Sequence, residues 1–169
     1  MNKLSLLSVS LLLGLTTFSQ DCKYDLDSYD KFTKMHKLEK EVKLNKADLL
    51  GDGYLNVTIC KYDSLNFIRL EYTSQKNLSI STSDKFLFLL DNQQTVVAMP
   101  QKNYMSERRR SNPKQQIIEA SYSFEDPASF ETLKKQKIQS VRIYYNGEFH
   151  DHNVKDKFQE NFQSAMKCF

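Results

Sequence analysis

Residues 138–169 read IQSVRIYYNGEFHDHNVKDKFQENFQSAMKCF, and this stretch decides the fold. It opens with apolar residues at strand-like spacing, which suit a half-buried strand. The dipeptide Asn146-Gly147 follows and readily supplies the two positive-φ positions of a tight hairpin turn. A helix is then predicted to open at Asn153, a residue type favoured at helix N-caps. Its apolar residues recur at helical spacing and are Phe158, Phe162, Ala165, Met166 and Phe169.

The chain before this stretch consists of short β-like segments separated by turn residues. Strands are predicted over residues 37–44, 54–62, 67–72, 78–80, 86–90, 95–99 and 116–124, and a turn is predicted at Gly51-Asp52-Gly53. Residues 32–44 also fit one face of a helix, but the β character of the following segments favours a strand that begins near Lys37. Two polar segments show no periodicity and are predicted to be a solvated arm (22–30) and a loop (101–114).

A short helix is predicted just before the terminal stretch. Asp126 suits its N-cap, and Pro127 suits its first helical position, where no backbone N–H is needed. The fold class is therefore α+β: a mainly antiparallel sheet of six to eight strands, with a short helix and a C-terminal helix packed on one face. Residues 20–169 are long enough for one such domain.

The first 19 residues have the pattern of a signal peptide. A short basic start (1–3) precedes an apolar run (4–15), and Thr17 and Ser19 place small side chains before a cleavage point ahead of Gln20. The apolar run is too short to span a bilayer. Asp21 stands where a lipoprotein signal requires a small residue, so Cys22 does not make this leader a lipoprotein signal. The pattern predicts export to the periplasm, the cell surface or the medium.

Composition limits the kinds of partner. The net charge of the whole chain is only +3, and loss of Lys3 with the leader lowers it by one. This balance argues against a nucleic-acid binder, whose basic surface would be much stronger. The mature chain has no second apolar stretch of membrane-spanning length, so no membrane span is expected in it. No cofactor motif is present, and oligomeric state is left open.

Several motifs together resemble a group of small exported bacterial proteins of unknown function. They are Cys22, Phe32-Thr33, the Asp-Lys-Phe-Leu-Phe-Leu-Leu-Asp-Asn run at 84–92, the Val-Arg-Ile-Tyr-Tyr strand at 141–145, and Lys167-Cys168. The similarity spans most of the mature chain. It implies export and an α+β fold, and it implies no activity.

The chain has three cysteines, so at most two can pair within one molecule. Export makes a disulfide plausible. Cys22 and Cys168 flank the predicted domain, and chain ends in single domains often lie close together, which favours a bond between them. The alternative pairing, Cys22 with Cys60, would attach the N-terminal arm to the sheet. A Cα separation above about 7 Å would rule out the first pairing.

Three features are candidate sites. Arg108, Arg109 and Arg110 form a basic cluster that could bind an anion or a partner through bidentate hydrogen bonds. His150 and His152 are two residues apart on a strand, so both could face one metal ion, although further ligands would have to come from elsewhere. Cys60 lies mid-strand, where a structural or disulfide-linked cysteine is favoured over a nucleophile.

No complete catalytic set is present in the sequence. We therefore expect an exported, non-enzymatic domain that binds a protein or a cell-envelope component. The alternative is a small metal-dependent or hydrolytic enzyme that uses the region of His150 and His152. Stoichiometric zinc or iron in the purified protein would favour this second hypothesis.

Overall fold

The computed structural model describes residues 22–46 and 53–169. The predicted leader, residues 1–19, lies outside the described residues, and so does most of the turn predicted at Gly51-Asp52-Gly53. The strands are β1 (Leu26–Tyr29), β2 (His36–Asn45), β3 (Leu55–Tyr62), β4 (Leu65–Ser74), β5 (Ser79–Ile80), β6 (Phe86–Leu90), β7 (Thr95–Pro100), β8 (Tyr104–Met105), β9 (Glu107–Arg109), β10 (Asn112–Phe124), β11 (Ile138–Tyr145) and β12 (Glu148–Asn153). The helices are α1 (Pro127–Lys135) and α2 (Asp156–Met166).

Most of the strands form one antiparallel sheet. Its order is β1-β2-β3-β4-β10-β7-β6-β11-β12, and β9 also pairs with β10, while β5 and β8 form a separate pair. The α+β class with a mainly antiparallel sheet is confirmed. The predicted number of six to eight strands is wrong, since ten strands of the described residues pair in this sheet.

The strands that were not predicted lie in the two segments predicted to be an arm and a loop. Residues 22–30 contain β1, and residues 101–114 contain β8, β9 and the start of β10. Strands β1, β8 and β9 contain no buried residue. A strand without a buried face shows no apolar alternation, so periodicity could not reveal these elements.

The sheet folds back on itself. Tyr72 of β4 lies 5.7 Å, ring centroid to ring centroid, from Tyr145 of β11. Four strand spacings separate β4 from β11 in the sheet, which would be about 19 Å in a flat sheet. Tyr72 also contacts His152 of β12, at 5.4 Å. The sheet therefore has an inner face, which encloses the core, and an outer face.

Both helices contact the inner face. On α2, Phe162 packs 6.0 Å from the ring of Phe88, a fully buried residue of β6. On α1, Phe130 packs edge-on against Phe124 of β10, at 5.7 Å. The two helices thus complete the core that the folded sheet leaves open.

Local signals predicted one hairpin turn and the cap of α1 correctly, but they misplaced the start of α2. Asn146 and Gly147 have φ of 53° and 74° and join β11 to β12, as predicted. The side chain of Asp126 accepts a hydrogen bond from the backbone N–H of Ala128 at 2.9 Å, which confirms the cap of α1. The predicted start of α2 at Asn153 is wrong. Asn153 pairs with Ser140 in the β11–β12 ladder, so the strand continues to this residue.

A disulfide joins Cys22 to Cys168, with a Cα–Cα distance of 5.6 Å. The first predicted pairing is confirmed, and the alternative with Cys60 is wrong, because Cys60 is a buried free thiol. Tyr24 supports the junction: its hydroxyl donates to the carbonyl of Cys168, and its ring packs edge-on against Phe169.

Of the two helices in the described ranges, neither is long and apolar enough to cross a membrane.

Candidate functional site

The outer face of the sheet carries the candidate binding surface. Side chains alternate along a strand, so the residues between those of the core point outward. Over β6, β7, β11 and β12 these outward residues enclose a cleft of about 320 Å³, which we call the leucine cleft. Its lining residues are Leu87, Leu89, Thr95, Ser140, Arg142, Asp151 and Asn153.

The floor of the leucine cleft is apolar and half-buried. Leu87 and Leu89 lie on β6, where they alternate with the fully buried Phe86, Phe88 and Leu90. Such an uninterrupted apolar run is typical of a strand that is covered on both sides. Here the inner side is covered by the core, and in the described part of the chain the outer leucines are only partly covered.

An ion pair between two solvent-accessible side chains forms one side of the leucine cleft. Arg142 on β11 lies directly opposite Asp151 on β12. The guanidinium donates from Nε to Oδ1 at 2.6 Å and from Nη2 to Oδ2 at 2.7 Å, a bidentate arrangement. These hydrogen bonds lower the pKa of Asp151, so the carboxylate is ionised at neutral pH.

An exposed aromatic ring adjoins this ion pair. The guanidinium of Arg142 lies 4.1 Å from the ring centroid of Phe149, within cation–π range. The Phe149 side chain is 54% exposed. The cleft thus combines an apolar floor, a charged side and an adjacent aromatic ring. This composition is typical of a recognition surface, in which a few polar groups orient an apolar contact.

Sequence analysis did not identify this pair, although a signal for it exists. The turn at Asn146-Gly147 fixes the register of the hairpin, because a two-residue turn places Tyr145 opposite Glu148. Counting outward along both strands then places Arg142 opposite Asp151. The adjacency of Leu87, which faces Arg142 from β6, depends on strand order and has no such local signal.

The three arginines predicted to bind an anion do not occupy a flexible loop. Arg108 and Arg109 lie on β9, and Arg110 follows in a turn. Successive strand residues point to opposite faces, so the guanidiniums of Arg108 and Arg109 diverge. Arg109 is also engaged, because its Nη1 donates to Oε1 of Gln115 at 3.0 Å. Binding by these arginines stays a prediction.

The two histidines of the enzymatic alternative pack against tyrosine rings. His150 stacks on Tyr145 with centroids 4.3 Å apart and planes within 1°. His152 contacts Tyr72, and its Nδ1 lies 3.4 Å from Nδ2 of Asn45. Within residues 22–46 and 53–169, no three His, Cys, Asp or Glu side chains are grouped so that they could hold a metal ion. Aromatic packing accounts for the position of both imidazoles.

Cys60 lies on the outer side of β3 and is fully buried. Burial raises the pKa of its thiol to about 12, and the nearby Glu39 carboxylate adds to the shift. The thiol donates weakly to the carbonyl of Thr58 at 3.7 Å. A protonated, buried thiol is a poor nucleophile, which agrees with the expected structural role.

Beside Cys60 the outer face holds a partly buried ion pair. Nη2 of Arg69 donates to Oε2 of Glu39 at 2.7 Å, and the hydroxyl of Tyr62 donates to Oε1 of the same carboxylate. Burial raises the pKa of Glu39, but the hydrogen bonds from Arg69 and Tyr62 outweigh it and the net shift is downward. This network explains how Glu39 is accommodated at 9% exposure.

Comparison of the chain with protein-family models, with curated proteins and with solved structures gave no match. Functional inference for this chain therefore depends on its own residues and their geometry.

Proposed function

We propose that this protein is an exported binding domain without catalytic activity, and that a partner protein docks on the outer face at the leucine cleft. The observation that carries the proposal is the cleft itself: two half-buried leucines lie beside the bidentate pair of Arg142 and Asp151. An apolar side chain of the partner would cover the leucines, and polar groups beside it would meet the ion pair.

The energetics favour such a contact. The ion pair is already formed and hydrogen-bonded in the unbound protein, so docking does not require two free side chains to be ordered. Covering the remaining apolar area of Leu87 and Leu89 contributes about 25 cal/mol per Å² removed from water. Phe149, an exposed ring at the side of the cleft, is a residue type common at interface centres.

Export is supported by two independent features. One is the signal-peptide pattern of residues 1–19, and the other is the disulfide between Cys22 and Cys168, a bond that persists in oxidising compartments. Amino-terminal analysis of the secreted protein is expected to identify Gln20 as its first residue. A mature protein that retains residues 1–19 would contradict the proposed leader.

The proposal is tested by site-specific photo-crosslinking in the host that makes the protein. Benzoylphenylalanine replaces Phe149, beside the cleft, or Leu65, a 68% exposed residue near the β3–β4 turn that serves as a control. A discrete adduct is expected from position 149 and none from position 65. Equal adducts from both positions would show that capture is nonspecific.

A second variant keeps the test specific to the cleft. Thr95 is exposed and lines the cleft, so Thr95→Trp is expected to fill the cleft without disturbing the core. The matched control is Glu160→Trp, on the exposed side of α2. The adduct from position 149 should be lost with Thr95→Trp and kept with Glu160→Trp. An adduct that persists with Thr95→Trp would refute docking in the cleft.

A further inference from the structure

A second cleft lies on the outer face, over β2, β3, β4 and β10. It measures about 140 Å³, and we call it the acidic cleft. Its lining residues are Glu41, Asn56, Thr58, Arg69, Glu71 and Glu119. It shares no lining residue with the leucine cleft, so an inference about it does not depend on the proposed function.

Carboxylates outnumber cations in the acidic cleft. Glu71 on β4 and Glu119 on β10 are direct cross-strand neighbours, a pairing of like charges that destabilises a sheet. Arg69 is the one cation among the lining residues, and its guanidinium is hydrogen-bonded to Glu39. Arg109 acts electrostatically on Glu71 from the side of β9. The carboxylates of Glu41, Glu71 and Glu119 therefore exceed the available positive charge.

Asn56, one of the residues that line this cleft, carries an acceptor without a donor. Asn56 on β3 is only 3% exposed and lies directly opposite Glu71. Its amide nitrogen donates to Oε1 of Glu41 and, at 2.6 Å, to the hydroxyl of Tyr54. Its Oδ1 is buried and has no hydrogen-bond partner among residues 22–46 and 53–169. A buried carbonyl oxygen without a donor is destabilising, and a bound donor would remove this destabilisation.

We propose that the acidic cleft binds a primary ammonium group, supplied by a lysine side chain or by a small diamine. An ammonium is compact and has three donors, which match Oδ1 of Asn56 and the carboxylates of Glu71 and Glu119. A guanidinium suits the cleft less well, because its N–H donors lie in one plane and match the two oxygens of a single carboxylate. A directly coordinated metal is disfavoured, since the described residues include no group of His, Cys, Asp or Glu able to hold one.

The test is an NMR titration of the ¹⁵N-labelled full mature chain. The probes are 1,5-diaminopentane and Nα-acetyl-lysine-N-methylamide, and the neutral control is the norleucine analogue of the second probe. Both ammonium probes are expected to shift the side-chain amide resonances of Asn56, and norleucine is not. Shifts from the diamine alone would identify free diamines as the ligand, and shifts from the lysine derivative alone would identify a peptide side chain. Shifts from neither ammonium probe, or equal shifts from norleucine, would overturn the proposal.

A pair of variants separates the cleft from general surface charge. Glu71→Gln with Glu119→Gln removes two carboxylates from the cleft, and Glu125→Gln with Glu160→Gln removes two exposed carboxylates elsewhere. The first pair is expected to weaken binding by about tenfold or more, the contribution of one charged hydrogen bond, and the second pair to leave it unchanged. Equal weakening by both pairs would show that the amines respond only to net charge. Because both substitutions in the cleft are isosteric and remove like-charge repulsion, the variant is expected to fold.

Discussion

Replacing Phe162 with alanine is expected to remove much of the stability of this domain. Phe162 on α2 is 1% exposed and packs against Phe88 on the inner face. Loss of its buried area costs about 2–3 kcal/mol, and the cavity left behind raises the total to about 3–5 kcal/mol. A domain of this kind has a free energy of unfolding of about 5–15 kcal/mol, so Phe162→Ala takes a large share of it.

Urea unfolding followed by far-UV circular dichroism measures this cost, with the disulfide kept oxidised. The midpoint should fall by more than about 1 M, given a slope of about 1–3 kcal/mol per M. Phe149→Ala is the matched control, because Phe149 is 54% exposed and its ring contacts the guanidinium of Arg142 and the ring of Tyr144 at the surface. That control should lose only about 0.5–1 kcal/mol. Equal midpoints for Phe162→Ala and the parent would show that α2 is peripheral to the core and would refute the packing argument.

Three further predictions concern the disulfide, the acidic cleft and the arginines. Replacing Cys22 and Cys168 with serine should lower the free energy of unfolding by about 2–5 kcal/mol, measured by urea unfolding, whereas a midpoint unaffected by the substitutions would contradict this stabilising role. Burial raises the pKa of Glu71 in the fold, and two neighbouring carboxylates raise it further. The protonated form of Glu71 therefore contributes stability that is fully present below the unfolded pKa. This stability is lost as pH rises through the raised pKa of the folded state. Glu71→Gln should therefore be more stable than the parent at pH 7 and match it near pH 3, and thermal melts that show a constant difference at both pH values would contradict this linkage. Replacing the exposed Arg108 and Arg110 with serine should change stability by about 0.5 kcal/mol or less, and if these residues bind an anionic partner, capture should weaken in the variant and in the parent at high salt. Salt-independent capture that the variant retains would leave the arginines without a binding role.

The features that were predicted correctly from the sequence depend on interactions between residues that are close together along the chain. Asn146-Gly147 specifies its turn through backbone conformation, and Asp126 specifies the start of α1 through a hydrogen bond two residues away. Neither feature needs knowledge of the rest of the chain. The same holds for the apolar stripe of α2, four of whose residues are buried.

The features that sequence did not reveal depend on strand order and burial. Strand β1 has no buried face, so it reads as a polar arm. Tyr72 and Tyr145 lie close together although β10, β7 and β6 separate their strands in the sheet, and this order has no local signal in the sequence. Both clefts are products of that order, because each is lined by residues from strands that are distant in sequence.

The bond between Cys22 and Cys168 makes the described part of the chain topologically a ring. A single proteolytic cut in any loop between these residues would leave both pieces covalently joined. Tension applied across Cys22 and Cys168 would pass through the sulfur–sulfur bond instead of the hydrogen bonds of the sheet. This closure gives resistance to protease and to pulling without any additional buried surface, a property that suits the proposed export.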